Sequence, residues 1–103
     1  MHRYKIVIQY DGSFFKGWQL QKNRKTVQGD IENALMTIAG SKSRIIVKGS
    51  GRTDAGVHAI GQVAHFDLDN HLTEKQLKNA LNFYTDENCK IMFLSKTYDR
   101  FDS

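Results

Sequence analysis

Proline is absent from this 103-residue chain, cysteine occurs once, and no apolar run approaches the roughly 18 residues of a membrane span. Without proline there is no proline-rich linker, and no internal repeat or low-complexity tract divides the chain. The lone thiol, Cys89, excludes an internal disulfide framework and suits a reducing compartment. Met1–Tyr10 carries Arg3 and Lys5 and lacks the apolar segment of a signal peptide, so the cytoplasm is the expected location, with no membrane partner. What is present is ordinary for a folded chain: 40% hydrophobic and 25% charged residues, which excludes wholesale disorder. The length suits one domain, able to bury about 60–70% of its unfolded surface.

The formal net charge of +4 conceals an asymmetry. Residues 1–52 hold ten Lys/Arg against three acids (Asp11, Asp30 and Glu32), giving +7, whereas residues 53–103 hold five against eight, giving −3. A basic half of this kind suits a polyanion, most simply nucleic acid, although an uneven solvated surface has the same composition.

Hydrophobic spacing sets out the elements. Arg3–Tyr10 alternates, with Tyr4, Ile6, Ile8 and Tyr10 on one face of a strand that Asp11-Gly12 closes with a turn. Val27, Ile31, Ala34, Leu35 and Ile38 recur at helical spacing in a helix that starts near Thr26 and stops at Gly40. Arg44–Lys48 and Gln62–Leu68 read as the second and third strands. Thr73-Glu74-Lys75-Gln76 has capping-box spacing, with Leu77, Ala80, Leu81 and Tyr84 following on one helical face, and Lys90–Leu94 is the fourth strand. The order is β-α-β-β-α-β, a ferredoxin-like α+β fold: a four-stranded antiparallel sheet with two helices on one face. That order alone does not specify a function.

Between the second and third strands lies Gly49–Gly61 (GSGRTDAGVHAIG), far longer than the two to five residues usual in a hairpin. Long glycine-containing loops in compact domains are commonly functional, and glycine lets a ligand approach the backbone. Asp54 is the candidate for chemistry there. Arg52 and Thr53 supply a cation and a hydroxyl beside it, and a nearby cation favours the ionised carboxylate. An Asx-turn, in which Asp54 merely binds loop backbone, accounts for a lone aspartate equally well. Gly49-Ser50-Gly51 lacks the lysine and the following helix of a P-loop, so Walker-type nucleotide hydrolysis is rejected.

Three further features invite chemistry. His65, Asp67, Asp69 and His71 alternate, so an extended chain would place four metal-ligand types on one face; a polar, solvent-facing strand side is the preferred account, and no metal is expected. Phe14-Phe15-Lys16-Gly17-Trp18, followed by Lys22, Arg24 and Lys25, mixes aromatic with basic residues. The aromatics are expected to close one end of the core, with Lys22, Arg24 and Lys25 facing RNA phosphates. Cys89 opens an apolar strand with no histidine in its segment, and is expected to be a buried structural thiol.

Gly51–Ala59 (GRTDAGVHA), continued by Gly61-Gln62-Val63 and His65-Phe66, resembles the signature of the TruA family of tRNA pseudouridine synthases. Tyr10-Asp11-Gly12, Gly17-Trp18-Gln19, Gln21 and Thr26-Val27-Gln28 are similar to that family's first block. The resemblance runs from residue 4 to about 84. It implies an enzyme that isomerises uridine to pseudouridine in the anticodon arm of tRNA, with no cofactor. It places Asp54 at the family's essential aspartate, acting as nucleophile or base at the sugar. Arg52 would offset the cost of extruding the base, through a phosphate contact or by filling the vacated stack. Gly51, Thr53, Ala55, Gly56 and His58 would join Asp54 in holding RNA. Family members are about two and a half times longer, carry a second, similarly folded half and are homodimeric, so the chain is expected to be an amino-terminal half. The alternative is an RRM-like or remnant RNA-binding module without catalysis. An RRM needs aromatics along the third strand, where Gln62–Leu68 offers only Phe66.

Overall fold

A computed structural model describes residues 2–50, 59–98 and 102. Strand β1 spans His2–Tyr10, helix α1 Val27–Ala39, β2 Lys48–Gly49, β3 Ala59–Leu68, α2 Glu74–Tyr84 and β4 Cys89–Thr97. The strands form one antiparallel sheet in the order β2-β3-β1-β4, which is the ferredoxin-like arrangement expected. Among the described residues, no helix is long and apolar enough to cross a membrane.

The period-2 pattern of β1 generates the core. Tyr4, Ile6, Ile8 and Tyr10 are buried, and opposite them Ala64 and Phe66 of β3 and Ile91 and Leu94 of β4 are buried too. Val27, Ile31, Ala34 and Leu35 of α1 and Leu77 and Leu81 of α2 complete the same cluster. On the other face stand Arg3, Lys5, Val7, Val63, His65 and Asp67, with Phe93 half exposed. Both ladders of β1 shift register near Ile8. On the β3 side the extra residue is Gly61, whose φ of 86° a side chain would strain.

Both helices start where predicted, and α1 also stops where predicted. Thr26 Oγ1 accepts from Gly29 N–H at 3.2 Å, and Gly40 closes α1 in the left-handed region at φ 63°. Thr73 and Gln76 form the reciprocal capping box of α2. Tyr84 departs from expectation: it lies half exposed at the end of α2, edge-on to Phe83.

The second strand is the main correction. Arg44–Val47 is not strand, and β2 is two residues long. The backbone N–H of Val47 donates to Glu32 Oε2 at 3.0 Å, and its carbonyl accepts from Gln28 Nε2 at 2.8 Å. Side chains of α1 have taken the hydrogen bonds that a longer β2–β3 ladder would have used.

Candidate active site

The site is built on the two segments that α1 holds together: the connection after β1 and the entry to the glycine loop. A 3₁₀ turn at Gly12–Phe14 begins the connection, capped by Asp11, whose Oδ1 accepts from Ser13 N–H at 3.0 Å. Lys16 N–H bonds Lys25 O at 2.7 Å and Gln21 Nε2 bonds Lys16 O at 2.9 Å, which closes residues 16–25 into a projecting loop. Asn23, near its tip, has φ 60°, a left-handed conformation that asparagine tolerates. The first amides of α1 are satisfied by this connection: Val27 N–H bonds Gly17 O and Gln28 N–H bonds Trp18 O.

The predicted split of the aromatics holds for two of three. Phe15 and Trp18 are buried against Tyr10, whereas Phe14 is 52% exposed. The reason is geometric: consecutive residues at the end of a turn point to opposite sides, so Phe14 and Phe15 cannot both enter the core. Phe14, with one side of Phe15, lines a groove of about 570 Å³ together with Lys16, Lys22, Asn23, Arg24 and Lys25. Lys22 and Arg24 are exposed at the loop tip. Lys25 is drawn sideways, its ammonium bonded to Asp86 and 5.3 Å from the Phe15 ring centroid. That bond, first among several, holds the Asp86 carboxyl below its ordinary range. Phe14 and Lys16 belong to the mixed aromatic and basic segment that the sequence marked, but Phe14, expected in the core, lines the groove.

The base of the glycine loop is held from three sides. Gln28 Oε1 accepts from Leu20 N–H at 2.8 Å while its Nε2 holds Val47 O, so one amide joins connection and strand entry. Glu32, one helical turn on and buried, takes Val47 N–H and the Nε and Nη2 of Arg44 at 2.6 and 3.1 Å. Trp18 lies against Gly49 so closely that a methyl group there would sit 2.7 Å from Cε2. Ser50 N–H then bonds Val63 O at 2.9 Å. Beside this base is a smaller polar hollow of about 260 Å³, lined by Trp18, Gln19, Gln28, Lys48, Gly49 and Asp102. Gly51, Arg52, Thr53, Asp54, Ala55, Gly56 and His58, the expected catalytic group and its neighbours, lie outside the described residues.

The alternating polar run on β3 is not a solvent-facing side throughout. His65 is 4% exposed, between Lys5 of β1 and Lys48 of β2 in the sheet. Burial, with the positive charge of Arg3, pushes its pKa below the usual histidine value. Asp67 is held in a two-point pair by Arg3 Nε and Nη2 at 2.8 and 3.0 Å, and this bond depresses its pKa. Among the described residues no group of three or more His, Cys, Asp or Glu is placed to hold a metal ion. Cys89 is buried as expected, and burial pushes its thiol up to about 12.

The profile of the tRNA pseudouridine synthase family matches residues 6–97, which takes in the connection, the glycine loop and all of the sheet except the first four residues of β1. The chain belongs to that family. It is 47% identical over 102 residues to tRNA pseudouridine synthase A 2 of Bacillus cereus, an overlap covering 98% of this chain and 41% of that protein. It is 55% identical over 82 residues to tRNA pseudouridine synthase A of Maridesulfovibrio salexigens, covering 80% of this chain and 30% of that protein. The corresponding match in Limosilactobacillus reuteri is 52% over 83 residues, 80% of this chain and 32% of the relative. The chain thus spans between about a third and two fifths of the length of these relatives, with the glycine loop and both of its flanking strands inside the matched region.

Proposed function

We propose that this chain is the aspartate-bearing, amino-terminal half of a cytoplasmic tRNA pseudouridine synthase that acts on uridines of the anticodon arm. Family membership over residues 6–97 is the observation that carries the reading. In the isomerisation, the bond from uridine N1 to the ribose breaks, the freed ring turns, and C5 bonds to the same anomeric carbon. C5 loses a proton and N1 gains one, so atoms balance without a redox partner or cofactor. Asp54 supplies the carboxylate at the sugar, as nucleophile or base, where a fixed negative charge favours an electron-poor anomeric carbon. Arg52 offsets the few kcal/mol of base extrusion.

The basic groove supports the choice of substrate. Lys22 and Arg24 project beside an exposed phenyl ring, in the combination of cation and π-face that suits an RNA backbone with unstacked bases. A second half and a homodimer complete the working enzyme, and the 103-residue chain by itself has little isomerase activity. The RRM-like alternative is disfavoured by Phe66, which stacks on Tyr4 within the core at a centroid distance of 5.5 Å and has no face for a base.

The test is trapping. Full-length protein should form a tightly held complex with 5-fluorouridine-substituted tRNA, and Asp54→Ala should abolish it. Equal complex formation by that variant would remove Asp54 from its assigned role.

A further inference from the structure

Gln28, Glu32 and Trp18 take no part in the chemistry proposed above, yet they converge on the four residues through which the chain enters the Asp54 loop. Strand β2 contributes only Lys48 and Gly49 to the sheet, so its ladder supplies little of the hold on this entry. The entry is held chiefly from outside the ladder. Both backbone polar groups of Val47 are held by α1 side chains one turn apart, Gly49 rests on the Trp18 indole, and Ser50 N–H is tied to β3. Helix α1 is a firm base for this, being 13 residues long and capped at both ends. Gln28 uses both ends of its amide, one on Leu20 and one on Val47, so the basic connection and the loop entry share a single side chain.

We infer that Gln28 and Glu32, with Trp18 as the surface beneath Gly49, are positioning residues that aim the Asp54-bearing loop. The inference rests on the reading of Asp54 given above. A reacting group displaced by about 1 Å can lose about 100-fold in rate, so a small loss of hold at Val47 reaches the chemistry without loss of substrate binding.

Two variants in the full-length protein test it. Gln28→Glu still accepts from Leu20 N–H but, ionised, has no proton for the Val47 carbonyl; Gln28→Met keeps the length and loses both bonds without adding charge. Each should lower kcat by about 10- to 100-fold while the KM for tRNA stays within about three-fold. Trapping by 5-fluorouridine tRNA should slow in both but reach the wild-type end point, whereas Asp54→Ala should not trap at all. A wild-type kcat in either folded variant overturns the inference. So does a change confined to KM, which would make Gln28 an RNA contact, or failure of both variants to fold, which would make it purely structural. If Asp54→Ala keeps wild-type rates, the reading of Asp54 fails and this one falls with it. If Asp54→Ala is dead and the Gln28 variants are fully active, only the positioning role fails.

Discussion

Replacing Gly49 by alanine tests the contact on which the loop entry rests. Gly49 is not among the glycines with positive φ, so alanine meets no backbone strain there, and the restriction is one of space. The new methyl would lie 2.7 Å from Cε2 of Trp18 and 2.8 Å from its Cζ2 and Nε1, against about 3.5–4.0 Å for an unstrained carbon contact. Trp18 is 3% exposed and packs on Tyr10, so the ring has little room to retreat. Overpacking of this kind costs about 1–3 kcal/mol, and the lower entropy of an unfolded chain with alanine offsets about 0.4–1 kcal/mol of it. The net loss of about 1–2 kcal/mol corresponds to a fall in Tm of roughly 5–15 °C for a domain of this size. Trp18 is the sole tryptophan, so its fluorescence reports the same event: emission should shift as the indole is displaced. Combining Gly49→Ala with Trp18→Phe should cost less than the sum of the two changes, because the smaller ring relieves the overlap. An alanine variant with unchanged Tm and native emission would refute the reasoning.

Neutralising Asp30 should stabilise the fold. Burial raises its pKa, with the Asp86 charge adding and the Asp86 N–H bond opposing, so the folded state binds its proton more tightly than the unfolded one. Its charge therefore costs stability at pH 7, a cost that fades as pH falls towards the ordinary aspartate value of 3.8. Asp30→Asn keeps an acceptor for Asp86 N–H, so its urea midpoint should exceed wild type at pH 7 and converge with it below pH 3.8; a lower midpoint at pH 7 would contradict this. Cys89, with its thiol pushed up to about 12, should resist iodoacetamide at pH 8 in the folded chain and react on addition of denaturant, as mass spectrometry would show. In the full-length protein, neutralising Lys22 and Arg24 together should weaken tRNA binding and flatten the plot of log K against log salt by about 1.4–1.8; an unchanged slope would take both residues out of the phosphate contacts.

Much of the fold is legible in residue order. The alternation of Tyr4, Ile6, Ile8 and Tyr10 and the helical spacing of Val27, Ile31 and Leu35 report which sides are buried, because burial acts on every turn or every second residue and leaves a period. Thr26, Gly40 and the Thr73–Gln76 pair mark helix ends because capping is a contact between residues three or four apart. The GRTDAGVHA run in the glycine-containing stretch after Lys48 marks the family before any geometry is known.

Contacts between distant segments leave no such period. Arg44–Val47 has the composition of a strand, yet Gln28 and Glu32 reach across from α1 and take Val47's hydrogen bonds. Phe14 and Phe15 are the same residue type side by side at the end of one turn, yet one is half exposed in the basic groove and the other is buried against Tyr10. Gly49 reads as flexibility in the chain and proves to be clearance for an indole 31 positions away. Local pattern thus determined the elements other than the second strand, the helix caps and the family, since those interactions are short-range along the chain. How the chain is held at Val47 and Gly49 was decided by the packing of α1 and Trp18 against them, because hydrogen bonds and steric contacts depend on distance in space.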